Sequence, residues 1–153
     1  MAKAREVTIL LVEDDAGHAL LIEKNLRRSK ISNDIRVLRN GQQAVDYLFG
    51  NGTDSGRGRG LPLLVLLDLK LPKVDGYEVL ERMKADERTR HIPVVVLTTT
   101  DDVREVQRCY GLGCNVYITK PVDYDRFAEA VRNLGLFFSV VTIPEESRRD
   151  GAA

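Results

Sequence analysis

Leu63-Leu64-Val65-Leu66-Leu67-Asp68-Leu69-Lys70-Leu71-Pro72 decides how the rest of the chain is read. An unbroken apolar run meets a lone aspartate, and Pro72 closes the segment. A short apolar run bounded by turn residues suits a strand buried on both faces, because in a parallel sheet neither face meets water. Such a strand puts Asp68 at its carboxyl end, where open α/β sheets gather their functional groups. A carboxylate there is either a structural acid with a partner or a reactive group.

The segments on either side repeat the pattern. Upstream, Val7 to Val12 forms a second apolar run and ends in Glu13-Asp14-Asp15. A helical spacing follows over Ala16 to Ser29, with Ala19, Ile22 and Leu26 on one face and Asp15 placed to cap it. Asp34 to Arg39 is a short strand, Asn40-Gly41 a turn, and Ala44, Val45 and Leu48 the inner side of a short helix. Gly50 to Gly60 is a flexible glycine-rich linker, without the lysine or the strand-to-helix setting of a phosphate-binding loop.

Downstream of Pro72, the spacing predicts a helix over Gly76 to Ala85 with Val79, Leu80 and Met83 inward. Val94 to Leu97 is a fourth strand that ends in Thr98-Thr99-Thr100. Asp101 or Asp102 caps a helix with Val103, Val106 and Tyr110 on one side, stopped by Gly111 and Gly113. Asn115 to Ile118 is the fifth strand and leads into Thr119-Lys120-Pro121; a last helix spans Tyr124 to Val141. Strand and helix alternate five times, which implies an α/β fold with a parallel sheet and helices on both faces. One domain over residues 1–142 and a flexible tail over 143–153 are expected.

Composition narrows the function. The 153 residues carry 23 basic and 23 acidic side chains, so no overall charge draws the chain to nucleic acid or an anionic membrane. No apolar run approaches the roughly 20 residues of a membrane helix, and no signal-peptide core is visible. Cys109 and Cys114 lack redox spacing, consistent with a reduced, cytoplasmic setting.

Chemistry concentrates at the strand ends: Glu13 and Asp14, Asp68, Thr98, and Lys120. A parallel sheet brings these ends to one edge. Two carboxylates about 4 Å apart repel by roughly 4 kcal/mol near a protein surface, so the cluster calls for a cation. Oxygen ligands with room for water favour Mg²⁺ over zinc.

These residues resemble the receiver domain of two-component response regulators. The likeness rests on Glu13-Asp14, Asp68, Lys70-Leu71-Pro72, Asp75-Gly76, Thr98, and Tyr117 with Lys120-Pro121. It spans residues 7 to about 142 and implies the flavodoxin-like (βα)5 receiver fold, a five-stranded parallel sheet in order 2-1-3-4-5. It further implies that Asp68 accepts a phosphoryl group from a phosphohistidine on a sensor histidine kinase. Asp14, Asp68 and the carbonyl of Lys70 would hold Mg²⁺, with Glu13 acting through water. Lys120 would pair with Asp68 and then with the phosphoryl oxygens; Thr98 would hydrogen-bond that group, and Tyr117 would turn inward as Thr98 moves. Such a chain is a phosphoacceptor signalling protein rather than an enzyme with a released product. Thr98 stands in a run of three threonines, which leaves its register open by one residue. Lys70 carries a long cationic side chain where family members vary, and Thr99 is bulkier than the alanine or glycine common there; together they are expected to slow the hydrolytic water.

A finer resemblance, to the single-domain regulators that partner phytochrome-type kinases, rests on three stretches. They are Val94 to Thr99, Tyr117 to Asp123, and Phe137-Phe138 with Ile143-Pro144. In the last helix Phe127, Ala130, Val131, Leu134, Phe138 and Val141 form one apolar stripe. Leu136, Phe137 and Val140 lie on another face, either a wider buried face or an interface. The resemblance implies a homodimer through this region.

Two other functions are disfavoured by the same residues. A haloacid-dehalogenase-like hydrolase wants an acid two positions after the nucleophile, where this chain has Lys70. An FMN-binding module wants a phosphate cradle after the first strand, where Glu13-Asp14-Asp15 would repel it. His18 and His91 lack metal-like company and are expected at the surface.

Overall fold

The computed structural model describes residues 8–29, 31, 33–50, 62, 64–120 and 123–133. Five strands, β1 (Thr8–Val12), β2 (Asp34–Leu38), β3 (Leu64–Asp68), β4 (Val94–Thr98) and β5 (Val116–Thr119), alternate with five helices. These are α1 (Ala16–Arg28), α2 (Gly41–Phe49), α3 (Gly76–Ala85), α4 (Val103–Leu112) and α5 (Tyr124–Asn133). All pairings are parallel and the sheet order is β2-β1-β3-β4-β5, the doubly wound topology that the alternation implies.

The sheet separates two apolar layers. Leu10, Val12, Val65, Leu67, Val94 and Val96 face one way and meet Leu48, Val79, Leu80 and Met83 from α2 and α3, with Cys109 from α4. Ile9, Leu11, Leu64, Leu66, Val95 and Leu97 face the other and meet Ile22 and Leu26 of α1 and Phe127 of α5. Alternate residues of each central strand thus enter opposite layers, so β3 and β4 can be apolar throughout. Every residue of both strands is buried.

Caps fix the helix starts. Asp15, Asn40, Asp75 and Asp102 each accept a backbone N–H from the first turn that follows. Gly113 ends α4 with φ of 105°, a left-handed conformation that glycine adopts without penalty. Gly111, expected to stop the helix, lies inside it.

The structure corrects the orientation of α4. Val103 is 66% and Tyr110 49% exposed, so the expected apolar side is turned largely to solvent, and Cys109 is the residue the helix buries. β5 also starts one residue later than the apolar pattern suggests. Asn115 closes the ladder from outside it, donating its N–H to Val94 O at 2.8 Å and accepting the Val94 N–H on its side chain at 2.9 Å. The linker beyond Gly50 falls outside the described residues, as does the segment holding Leu136, Phe137 and Val140. α5 is described to Asn133, with Phe127 buried against the sheet.

Candidate phosphoacceptor site

The carboxyl edge of the sheet brings together the residues that the strand ends marked. β1 ends at Val12, and Glu13 extends its ladder by donating its N–H to Leu38 O at 2.9 Å. That bond turns the Glu13 side chain into the protein, where it is 1% exposed, while Asp14 stays in solvent. Asp68 ends β3 and is buried. Thr98, the first of the threonine run, ends β4, and its carbonyl accepts the Lys120 N–H at 2.6 Å.

Glu13, Asp14 and Asp68 each offer a carboxylate oxygen, and these lie within 4.8 Å of one another. Lys120 supplies the opposing charge. Its Nζ donates to Glu13 Oε1, in the shortest contact of the site, and to Asp68 Oδ2 at 3.4 Å. The second Glu13 oxygen accepts the Asp15 N–H at 3.1 Å. Burial raises the Glu13 carboxyl above its ordinary range, and the Lys120 hydrogen bond opposes that rise. With Glu13 and the Lys120 side chain both nearly inaccessible, their attraction is poorly screened by solvent.

Thr98 Oγ1 is buried and has no hydrogen-bond partner among the described residues. An unpaired buried hydroxyl costs free energy unless something arrives to pair with it. Tyr117, half-buried, donates its hydroxyl to Thr100 O at 2.7 Å, and burial pushes its phenol up to about 12. Lys70 and Thr99 are exposed beside the site. The Lys70 N–H points at Asp68 Oδ1 from 3.4 Å, at the edge of hydrogen-bonding distance.

The β3–α3 connection is held close to Asp68 by a glycine. A Cβ at Gly76 would fall 2.2 Å from Asp68 O and 2.6 Å from Leu69 Cα, so a side chain there would push α3 away from the site. The Gly76 N–H donates to Leu69 O at 2.8 Å, and Asp75 caps α3 in the same turn.

His18 is the residue that sequence reasoning missed. It is exposed, as expected, but its Nδ1 lies 3.2 Å from Lys120 Nζ, across 102 residues of sequence. The available signal was position: His18 stands in the first turn of the helix that leaves the acidic strand end.

The donor set suits a hard divalent cation: oxygen ligands throughout, one carboxylate open to water, and no thiolate or imidazole among the three. A zinc site would want the opposite chemistry.

This fold and this edge define a class, and the comparison with known families agrees. Residues 9–132 match the response regulator receiver domain, and the chain belongs to that family. A receiver domain from Rhodospirillum rubrum is 56% identical, with 91% of this chain and 98% of that one covered and a TM-score of 0.72. The bacteriophytochrome response regulator RtBRR is 45% identical, with coverage of 88% and 79% and a TM-score of 0.75. Response regulator Rcp1 of Synechocystis sp. is 38% identical over 89% of this chain and 92% of its own length. Its Mn²⁺-bound structure matches at 37% identity, covering 84% and 91%, with a TM-score of 0.72. The chain is therefore a two-component response regulator receiver with phytochrome-linked relatives. No helix among the described residues is long and apolar enough to cross a membrane.

Proposed function

We propose that the chain accepts a phosphoryl group on Asp68 from the phosphohistidine of a sensor kinase and signals through the surface that changes as a result. The observation that carries this reading is the buried Lys120 ammonium bound to both Glu13 and Asp68 beside an exposed Asp14. A structural ion pair would need one carboxylate; this site groups three, two of them bonded to one lysine, at a solvent-accessible edge.

In the transfer, an Asp68 oxygen attacks phosphorus as the phosphorus–nitrogen bond to the donor imidazole breaks, and the imidazole leaves with its electron pair. The protein's task is to align donor and acceptor and to neutralise charge on the equatorial oxygens. Lys120, already on Asp68, donates to those oxygens. Thr98 Oγ1, without a partner among the described residues, would donate to the new acceptor, and Tyr117 would turn inward as Thr98 moves. Asp14, Asp68 and the Lys70 carbonyl would hold Mg²⁺, with Glu13 through water; the ion supplies further charge neutralisation when bound. The Mn²⁺-bound form of Rcp1 supports a divalent cation in this class of site.

An aspartyl phosphate adds up to about two negative charges, and satisfying them shifts a two-state equilibrium. The readout is the α4–β5–α5 face, where exposed Val103 and Tyr110 offer apolar contact. A receiver domain over residues 1–142 followed by a flexible segment over 143–153, acting in the cytoplasm, fits this role. Its partners would be a kinase, phytochrome-type by likeness to RtBRR and Rcp1, and a second copy, joined through the region of Leu136, Phe137 and Val140. Exposed Lys70 and Thr99 would shield the phosphoryl group from water and prolong its life.

The test is transfer of radiolabelled phosphate from an autophosphorylated phytochrome-type kinase. Label should move to the native chain and not to Asp68→Asn. Equal labelling of both would place the acceptor elsewhere.

A further inference from the structure

Lys120 has three ammonium protons and no acceptor, and three acceptors surround it: Glu13 Oε1, His18 Nδ1 at 3.2 Å and Asp68 Oδ2 at 3.4 Å. The contact with an ammonium fixes the role of the imidazole. An ammonium can only donate, so Nδ1 is the acceptor in this contact and Nε2 is left to carry the ring proton. The ring hangs from a fixed point, because the His18 N–H donates to the capping Asp15 side chain at 2.9 Å. Glu13 and His18 both belong to the β1–α1 segment and hold Lys120 from that side, while its bond to Asp68 is the longest of the three.

The two members of that pair differ in what release would cost. Glu13 is 1% exposed, so losing Lys120 would strand a buried carboxylate. His18 is exposed, and water replaces the lysine on its ring nitrogen at little cost. A lysine called toward Asp68 therefore keeps Glu13 and pivots away from His18.

We propose that His18 is a positioning residue that holds Lys120 in its resting place and surrenders it when Asp68 is phosphorylated. The inference deepens the phosphoacceptor reading and rests on it. A contact made only in the unphosphorylated state favours that state, so His18 restrains phosphorylation.

Two measurements test this. At roughly pH 8, above the ordinary histidine range, nitrogen NMR of the His18 ring should show the Nε2–H tautomer with Nδ1 as acceptor. Lys120→Met should leave that tautomer, the one a ring in water also favours, and move the Nδ1 signal to that of a water-bonded ring nitrogen. An Nδ1–H tautomer in the native chain, or ring signals unchanged by Lys120→Met, would overturn the contact without reference to phosphorylation. With acetyl phosphate and Mg²⁺, His18→Leu should phosphorylate about threefold to tenfold faster, the size of one hydrogen bond at an exposed site. His18→Asn, which keeps an acceptor at the Nδ1 position, should stay near the native rate. A His18→Leu rate at or below native would overturn the restraint, whereas a native chain that takes no phosphoryl group would overturn the phosphoacceptor reading itself.

Discussion

Two lysines in this molecule lose their water in opposite ways. Lys84, in the last turn of α3, donates to Arg90 O at 3.1 Å and Ile92 O at 2.9 Å, near the amino end of β4. Its partners are backbone carbonyls, fixed by the fold and neutral, and burial lowers its affinity for the proton. Lys120 sits at the carboxyl end of the same sheet among carboxylates and an imidazole, partners that can ionise, take a cation or be modified. The first lysine closes a chain reversal. The second holds charges in place that would otherwise repel. If Asp68 accepts a phosphoryl group as proposed, the contrast separates a cation that serves the fold from one that serves a switch.

The largest expected effect breaks the second arrangement. Lys120→Met should slow phosphorylation by acetyl phosphate by about 100-fold, the usual loss for one preorganised donor to developing charge. A rate within a few-fold of native would mean that the ammonium is only structural. Lys84→Met should do the reverse. Chemical denaturation should show a loss of about 2 kcal/mol, from two carbonyls left without their charged donor, while the phosphorylation rate stays native.

Thr98→Val removes the unpaired buried hydroxyl at nearly constant volume. It should raise unfolding free energy by about 1 kcal/mol and weaken the response of the Tyr117 environment to phosphorylation, followed by tyrosine fluorescence or NMR. Stabilisation with an unaltered response would show that the Thr98 hydroxyl takes no part in the switch.

The smallest effect concerns pH. Glu13 has its carboxyl raised by burial, so the folded chain holds that proton more tightly than the unfolded chain. Its contribution favours folding below the ordinary glutamate range and is lost as pH rises through the raised folded value. Mg²⁺ requires the ionised cluster, so its affinity should grow several-fold over the same window. Titration calorimetry on native and Glu13→Gln should show that this dependence shrinks in the variant.

Much of this was legible because strand ends announce themselves. Apolar runs stop at Glu13, Asp68 and Thr98, the fifth leads through Thr119 to Lys120, and parallel topology alone brings those ends to one edge. The bounds of α3, Gly76 to Ala85, follow from the capping Asp75 and the Val79-Leu80-Met83 face, and the structure reproduces them. α4 was less legible, because its apolar residues are compatible with either an inward or an outward face. Cys109 is the residue α4 buries in the core, and Val103 and Tyr110 are left outside. β5 shifted by one residue because Asn115 completes the ladder with its side chain, which no periodicity reports. The His18–Lys120 contact joins two loops at the sheet edge, and only the assembled fold brings them within reach.

The most direct test of the central claim is intact mass after incubation with acetyl phosphate, with and without Mg²⁺, on the native chain and Asp68→Ala. The account predicts a Mg²⁺-dependent gain of one phosphoryl group in the native chain and none in the variant. A folded native chain that gains nothing, or an Asp68→Ala variant that gains as much, would contradict it.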